Sequence, residues 1–126
     1  MSVWLAILLG GALGTLLRWA LFSSLSSAFS IVPTLLVNLV GALLIGIVVT
    51  VISERIKPTK LARPFLAIGF LGGFTTESTL AVASDQAINH GKPLIGVGLM
   101  FLCLVGGLIA VGAGTRLARI GLGTKE

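Results

Sequence analysis

Residues 69–79, GFLGGFTTEST, bring threonines, a serine, a glutamate and paired glycines into a run whose neighbours are apolar. Gly72 and Gly73 weaken a helix, and Thr75 and Thr76 offer hydroxyls beside any backbone carbonyls that lose their helical partners. Carbonyl and hydroxyl oxygens are hard donors, and a broken membrane helix is where such oxygens gather around an ion. The chemistry this points to is ion coordination, and an enzyme is not expected. Arg18 and Asn38 also fall inside apolar runs, where polar groups are rare and face an interior or a water-filled path. Each has a simpler use: Arg18 can snorkel to the headgroups, Asn38 can bridge two helices, and a serine or threonine can bond its own helix backbone.

The elements that must hold these residues follow from composition. The chain has 126 residues, 56% hydrophobic and 10% charged, with mean hydropathy +1.10, which marks an integral membrane protein. A helix needs roughly 20 apolar residues to cross about 30 Å of hydrocarbon, so the length accommodates four spans in a single domain, residues 1–126. They are expected at residues 3–22, 33–52, 64–88 and 94–114. Between them lie the polar loop SSLSSAFS, the charged loop SERIKPTKLAR and the tight turn NHGKP; the basic tail RLARIGLGTKE follows. The first apolar run lacks a basic leader and outlasts a signal-peptide core, so it is expected to be the first span. Cys103 lies alone in an apolar run and is expected to pack between helices.

The net charge of +5 is distributed around the spans, which argues for topology and against nucleic acid. With four spans, Arg55, Lys57, Lys60, Arg63, Arg116, Arg119 and Lys125 share one side, and only Lys92 and Arg18 belong to the other. Seven against two places both termini in the cytoplasm. Most of the 17 glycines lie within the spans, at spacings such as Gly10 to Gly14 and Gly69 to Gly73. Small residues one turn apart let backbones approach closely in lipid, within one subunit or across an interface.

GFLGGFTTEST resembles the signature GFxGGFTTFSTF of the Fluc/CrcB fluoride channels. The likeness extends to GGALGTLLRW in the first span and TLLVNLVGALLIG in the second, and it covers essentially the whole chain. It implies an all-α membrane protein of four transmembrane helices with the third broken, paired with an oppositely oriented subunit in an antiparallel dual-topology dimer. It implies export of cytoplasmic fluoride across a bacterial or archaeal plasma membrane. A structural sodium ion would sit at the dimer centre on the carbonyls of Gly72 and Thr75. Asn38 and Thr34 match the family's pore positions, with Thr76, Glu77, Ser78, Thr79 and Leu80 alongside, and Arg18 matches its first-helix arginine.

Two family phenylalanines are replaced, by Glu77 and Leu80, and the fourth-helix hydroxyls by apolar or glycine residues. A carboxylate in an anion path repels the anion unless it is protonated, paired or turned away. The charge bias also disfavours one sequence inserting both ways. An alternative is therefore a non-conducting or partner-dependent subunit of a heterodimer, its partner a paralogous chain of opposite orientation. A small multidrug-type exporter would want an acidic residue in its first helix, and there is none.

Overall fold

The computed structural model describes residues 2–25, 31–54 and 60–123. Parts of the expected loops at 23–30 and 53–63 lie outside the described residues, as do Arg55, Lys57 and Lys125. The described residues are helical, without strands, and four segments are long and apolar enough to cross a membrane.

The first span is α1, Val3–Ser24, whose Ser2 hydroxyl accepts the Leu5 N–H and so satisfies one donor of the opening turn. The second is α2, Ile31–Glu54, which starts two residues earlier than expected because Pro33 sits within the first turn, where its missing N–H costs nothing. The turn expected at NHGKP is present, with Gly91 at φ 74 and the Lys92 N–H bonded to the Ala87 carbonyl. Pro93 then opens α5, Pro93–Gly121. This helix runs past the expected end at 114, so Arg116 and Arg119 are helical rather than part of a loose tail. Arg116, Leu117, Ala118 and Arg119 are good helix formers, and Arg119 is tied 3.0 Å from Glu54 at the end of α2.

The third span has two parts. Its first, α3, covers residues 64–74, wound wide as a π-helix over Pro64–Phe70 and normally over Leu71–Phe74. The second, α4, is Glu77–Asn89. The break falls at Thr75 and Thr76, and the paired glycines stay helical.

The glycines do different work. A side chain on Gly10 would stand 2.9 Å from the Phe70 nitrogen, one on Gly69 3.1 Å from Gly10 Cα, and one on Gly73 would run into the Gly11 carbonyl. Positions along α1 and α3 rise together, so these helices run parallel and knit through Gly10, Gly14, Gly69 and Gly73. Gly46 and Gly114 knit α2 to α5 in the same way, each meeting backbone of the other helix. Dispersion at backbone distance replaces the hydrophobic effect in lipid, and for these pairs the contact lies within one chain. The outer surface is apolar: Trp4, Leu8, Leu94, Phe101 and Ile120 are all exposed, as a lipid-facing surface must be.

Candidate functional site: the broken helix and its groove

The break is built from local chemistry first. The Leu71 carbonyl accepts both the Thr75 N–H at 3.0 Å and the Thr75 hydroxyl at 2.9 Å, which closes α3. Thr75 and Thr76 then turn extended, at ψ 162 and 119, a conformation that suits β-branched residues. Thr76 restarts the helix as its cap, accepting the Thr79 N–H at 3.2 Å. The Thr79 and Ser78 hydroxyls lie 3.0 and 3.2 Å from the same oxygen.

Two neighbouring helices supply what the interrupted ladder lacks. Asn38 on α2 holds Thr76 with both ends of its amide: Oδ1 accepts the Thr76 N–H at 2.9 Å and Nδ2 donates to the Thr76 carbonyl at 3.0 Å. On α1, the Arg18 guanidinium donates to the Thr75 carbonyl at 2.9 Å and the Thr15 hydroxyl to the Gly73 carbonyl at 3.4 Å. Arg18 thus turns inward rather than snorkelling. Thr15 was missed in the sequence, although it lies three residues before Arg18 and therefore on the same helix face. The Gly72 carbonyl loses its helical donor, because the Thr76 N–H that would serve it is taken by Asn38.

Beside the break lies an open groove of about 480 Å³ among α2, the third span and α5. Asn38, Gly72, Thr75, Thr76, Glu77 and Leu80 all line it. Gly72 is exposed there, and an added Cβ would meet nothing within 4 Å. Cys103 on α5 lines the groove too, half-buried beside Asn38 of α2. Thr34 is fully buried and does not line the groove. Ser78 and Thr79 do not line it either, but gather around Thr76, and Arg18 reaches the break from α1. Phe70 and Phe74 stack on each other, centroids 6.4 Å apart, and also lie off the groove. Glu77, the first residue of α4, is exposed. Among the described residues it forms no ion pair with Arg18.

These oxygens fit an alkali cation. Gly72 offers a carbonyl without its helical donor, and the Thr75 carbonyl keeps a second lone pair beyond the one given to Arg18.

The family model described as CrcB-like protein, Camphor Resistance (CrcB), matches residues 5–115. A Streptomyces avermitilis protein named fluoride-specific ion channel FluC 3 is 38% identical over 123 residues, 95% of this chain and 60% of that protein. A Chloroflexus aurantiacus protein named fluoride-specific ion channel FluC is 40% identical over 118 residues, 91% of this chain and 94% of that protein. One from Mycolicibacterium paratuberculosis, fluoride-specific ion channel FluC 1, is 38% identical over 117 residues, 90% of this chain and 88% of its own length. The chain thus spans 60% of the Streptomyces protein and nearly all of the Chloroflexus one. With a broken third span, a groove at the break and a family match over most of its length, the chain belongs to the CrcB family.

Proposed function

We propose that the chain is a subunit of a fluoride-specific channel that lets fluoride leave the cytoplasm passively and so limits its toxicity. The observation that carries this is the broken span: a membrane helix whose interruption is held open by Asn38, Thr15 and Arg18 against a groove. Unpaired backbone at lipid depth is tolerated only where it serves a cavity or an ion. The relatives bear the name fluoride-specific ion channel, and the groove supplies a donor suited to a strongly hydrated anion, the second Nδ2 hydrogen of Asn38.

The subunit pairs with an oppositely oriented one across the groove face, and the Gly72 and Thr75 carbonyls hold a structural sodium at the centre. A sodium there offsets the partial negative charge of the carbonyls that the break exposes. The chain sits in the plasma membrane with both termini cytoplasmic. The tie between Arg119 and Glu54 supports this orientation, because it sets the ends of α2 and α5 at one level with Arg116, beside the Lys60 and Arg63 that precede α3.

A second reading has its own observation. Glu77 is exposed in the groove without Arg18 as a partner, which favours a subunit that conducts only beside a paralogous partner, or not at all. Fluoride efflux from liposomes carrying the chain alone, then with an oppositely oriented relative, separates the two. Efflux from the chain alone supports the homodimer; efflux only with the relative supports the partner-dependent subunit. No fluoride efflux in either arrangement removes the channel reading.

A further inference from the structure

Ser84 is 2% exposed, and its hydroxyl has no hydrogen-bond partner among the described residues. A serine in a membrane helix ordinarily bonds the carbonyl four residues back, here that of Leu80. An idle buried hydroxyl costs free energy, and each such group calls for an explanation. Its position supplies one. Glu77, Leu80 and Ser84 are spaced three and four apart, so they share one face of α4. That face runs from exposed Glu77 through half-buried Leu80 to buried Ser84. On α5 the groove is lined by Gly107, Cys103 and Met100, and the next turn on that face is Gly96. The two faces meet there: a side chain on Gly96 would stand 2.6 Å from the Ser84 carbonyl oxygen. The lining of the groove stops at Leu80 on α4 and Met100 on α5, and one turn further the two helices close on each other at Ser84 and Gly96, where the Ser84 hydroxyl lacks a partner among the described residues.

We infer that Ser84 is the hydrogen-bond donor that takes the anion at the closed end of the groove, a part that the apolar and glycine-rich fourth helix of this chain cannot play. The inference rests on the channel reading above. A hydroxyl without a partner among the described residues is free to turn its proton to a passing fluoride, and a bond to a charged acceptor is stronger than one between neutral groups. The close approach of Gly96 to Ser84 leaves little room beside the hydroxyl, so only a small anion that has shed water reaches it.

The test is fluoride efflux from liposomes carrying parent, Ser84→Ala or Ser84→Thr protein, alone and with an oppositely oriented relative, alongside thermal unfolding of each. Ser84→Ala is expected to lower the fluoride flux about tenfold, the scale of one lost hydrogen bond to a charged group, with its unfolding temperature unchanged. Ser84→Thr, which keeps the hydroxyl, is expected to retain most of the flux. Parent-like flux in Ser84→Ala overturns this inference and leaves the channel reading intact. A marked fall in Ser84→Ala stability shows the hydroxyl to be structural and overturns it equally. A parent without fluoride flux in either arrangement removes the channel reading, and this inference with it.

Discussion

Gly72 and Gly73 are neighbours in sequence and opposites in surroundings. A side chain on Gly73 runs into the Gly11 carbonyl of α1, whereas one on Gly72 meets nothing within 4 Å. The first belongs to the seam between α1 and α3, finished within the chain; the second belongs to the groove, where its carbonyl lacks a helical donor and Glu77 stands exposed beside half-buried Leu80. Helix-weakening residues can therefore serve closure or vacancy, and sequence spacing alone does not say which. The seam fixes where the break lies. The groove lies where the break opens.

The contrast is sharpest for Gly14, where a leucine would drive into the Phe70 carbonyl. Gly14→Leu should cost about 3 kcal/mol or more by overpacking, read as loss of monodisperse protein and a lower unfolding temperature. A well-folded Gly14→Leu protein would show that the seam is loose. Gly72→Val should do the reverse. The single chain is expected to keep its stability within about 0.5 kcal/mol, while pairing through the groove weakens about a hundredfold, the scale of one overpacked contact. Dimer dissociation measured in lipid or detergent would detect this, and unchanged pairing would move the interface elsewhere.

Asn38 ties the break to the groove, since it clamps Thr76 and lines the groove. In Asn38→Asp a carboxylate still accepts the Thr76 N–H but sets a second oxygen against the Thr76 carbonyl. We expect a loss of about 2 kcal/mol, seen together as a lower unfolding temperature and reduced fluoride flux. Loss of flux at parental stability would instead confine Asn38 to the anion.

Glu77→Phe with Leu80→Phe alters only the groove. It should leave unfolding unchanged and raise the chain's own fluoride flux about tenfold, equivalent to about 1.4 kcal/mol off the barrier. A double mutant that conducts less than the parent would make Glu77 a working part of the path. The mildest change is Thr75→Ser, which keeps the hydroxyl bond to Leu71 and loses only the methyl packed near Gly41. A cost below about 1 kcal/mol is expected in thermal unfolding.

Much of this was legible from residue types. Four long apolar runs can only be spans, and a cluster of hydroxyls and glycines at lipid depth marks a break. The location of that break was not legible, because Gly73 remains helical for the sake of α1 and the extended pair is Thr75 and Thr76. Nor was the inward turn of Arg18, since snorkelling and donating to a carbonyl call for the same side chain at the same depth. The resemblance matched Thr34 to a pore position beside Asn38; here it is fully buried and lies off the groove. Ser84 was invisible, because one serine in an apolar helix ordinarily satisfies itself.

The break also sets the electrical character of the site. α3 ends there with its carbonyl pole and α4 begins there with its amide pole, so within two residues the backbone presents roughly half an elementary charge of each sign. One interruption can thus draw a cation to one lip and an anion to the other without any charged side chain. Glu77, the first residue of α4, brings a whole negative charge to the amide pole. The Arg18 guanidinium brings the opposite charge to the carbonyl pole, where it donates to Thr75, so each lip of this chain's break carries a side chain that offsets its own backbone pole.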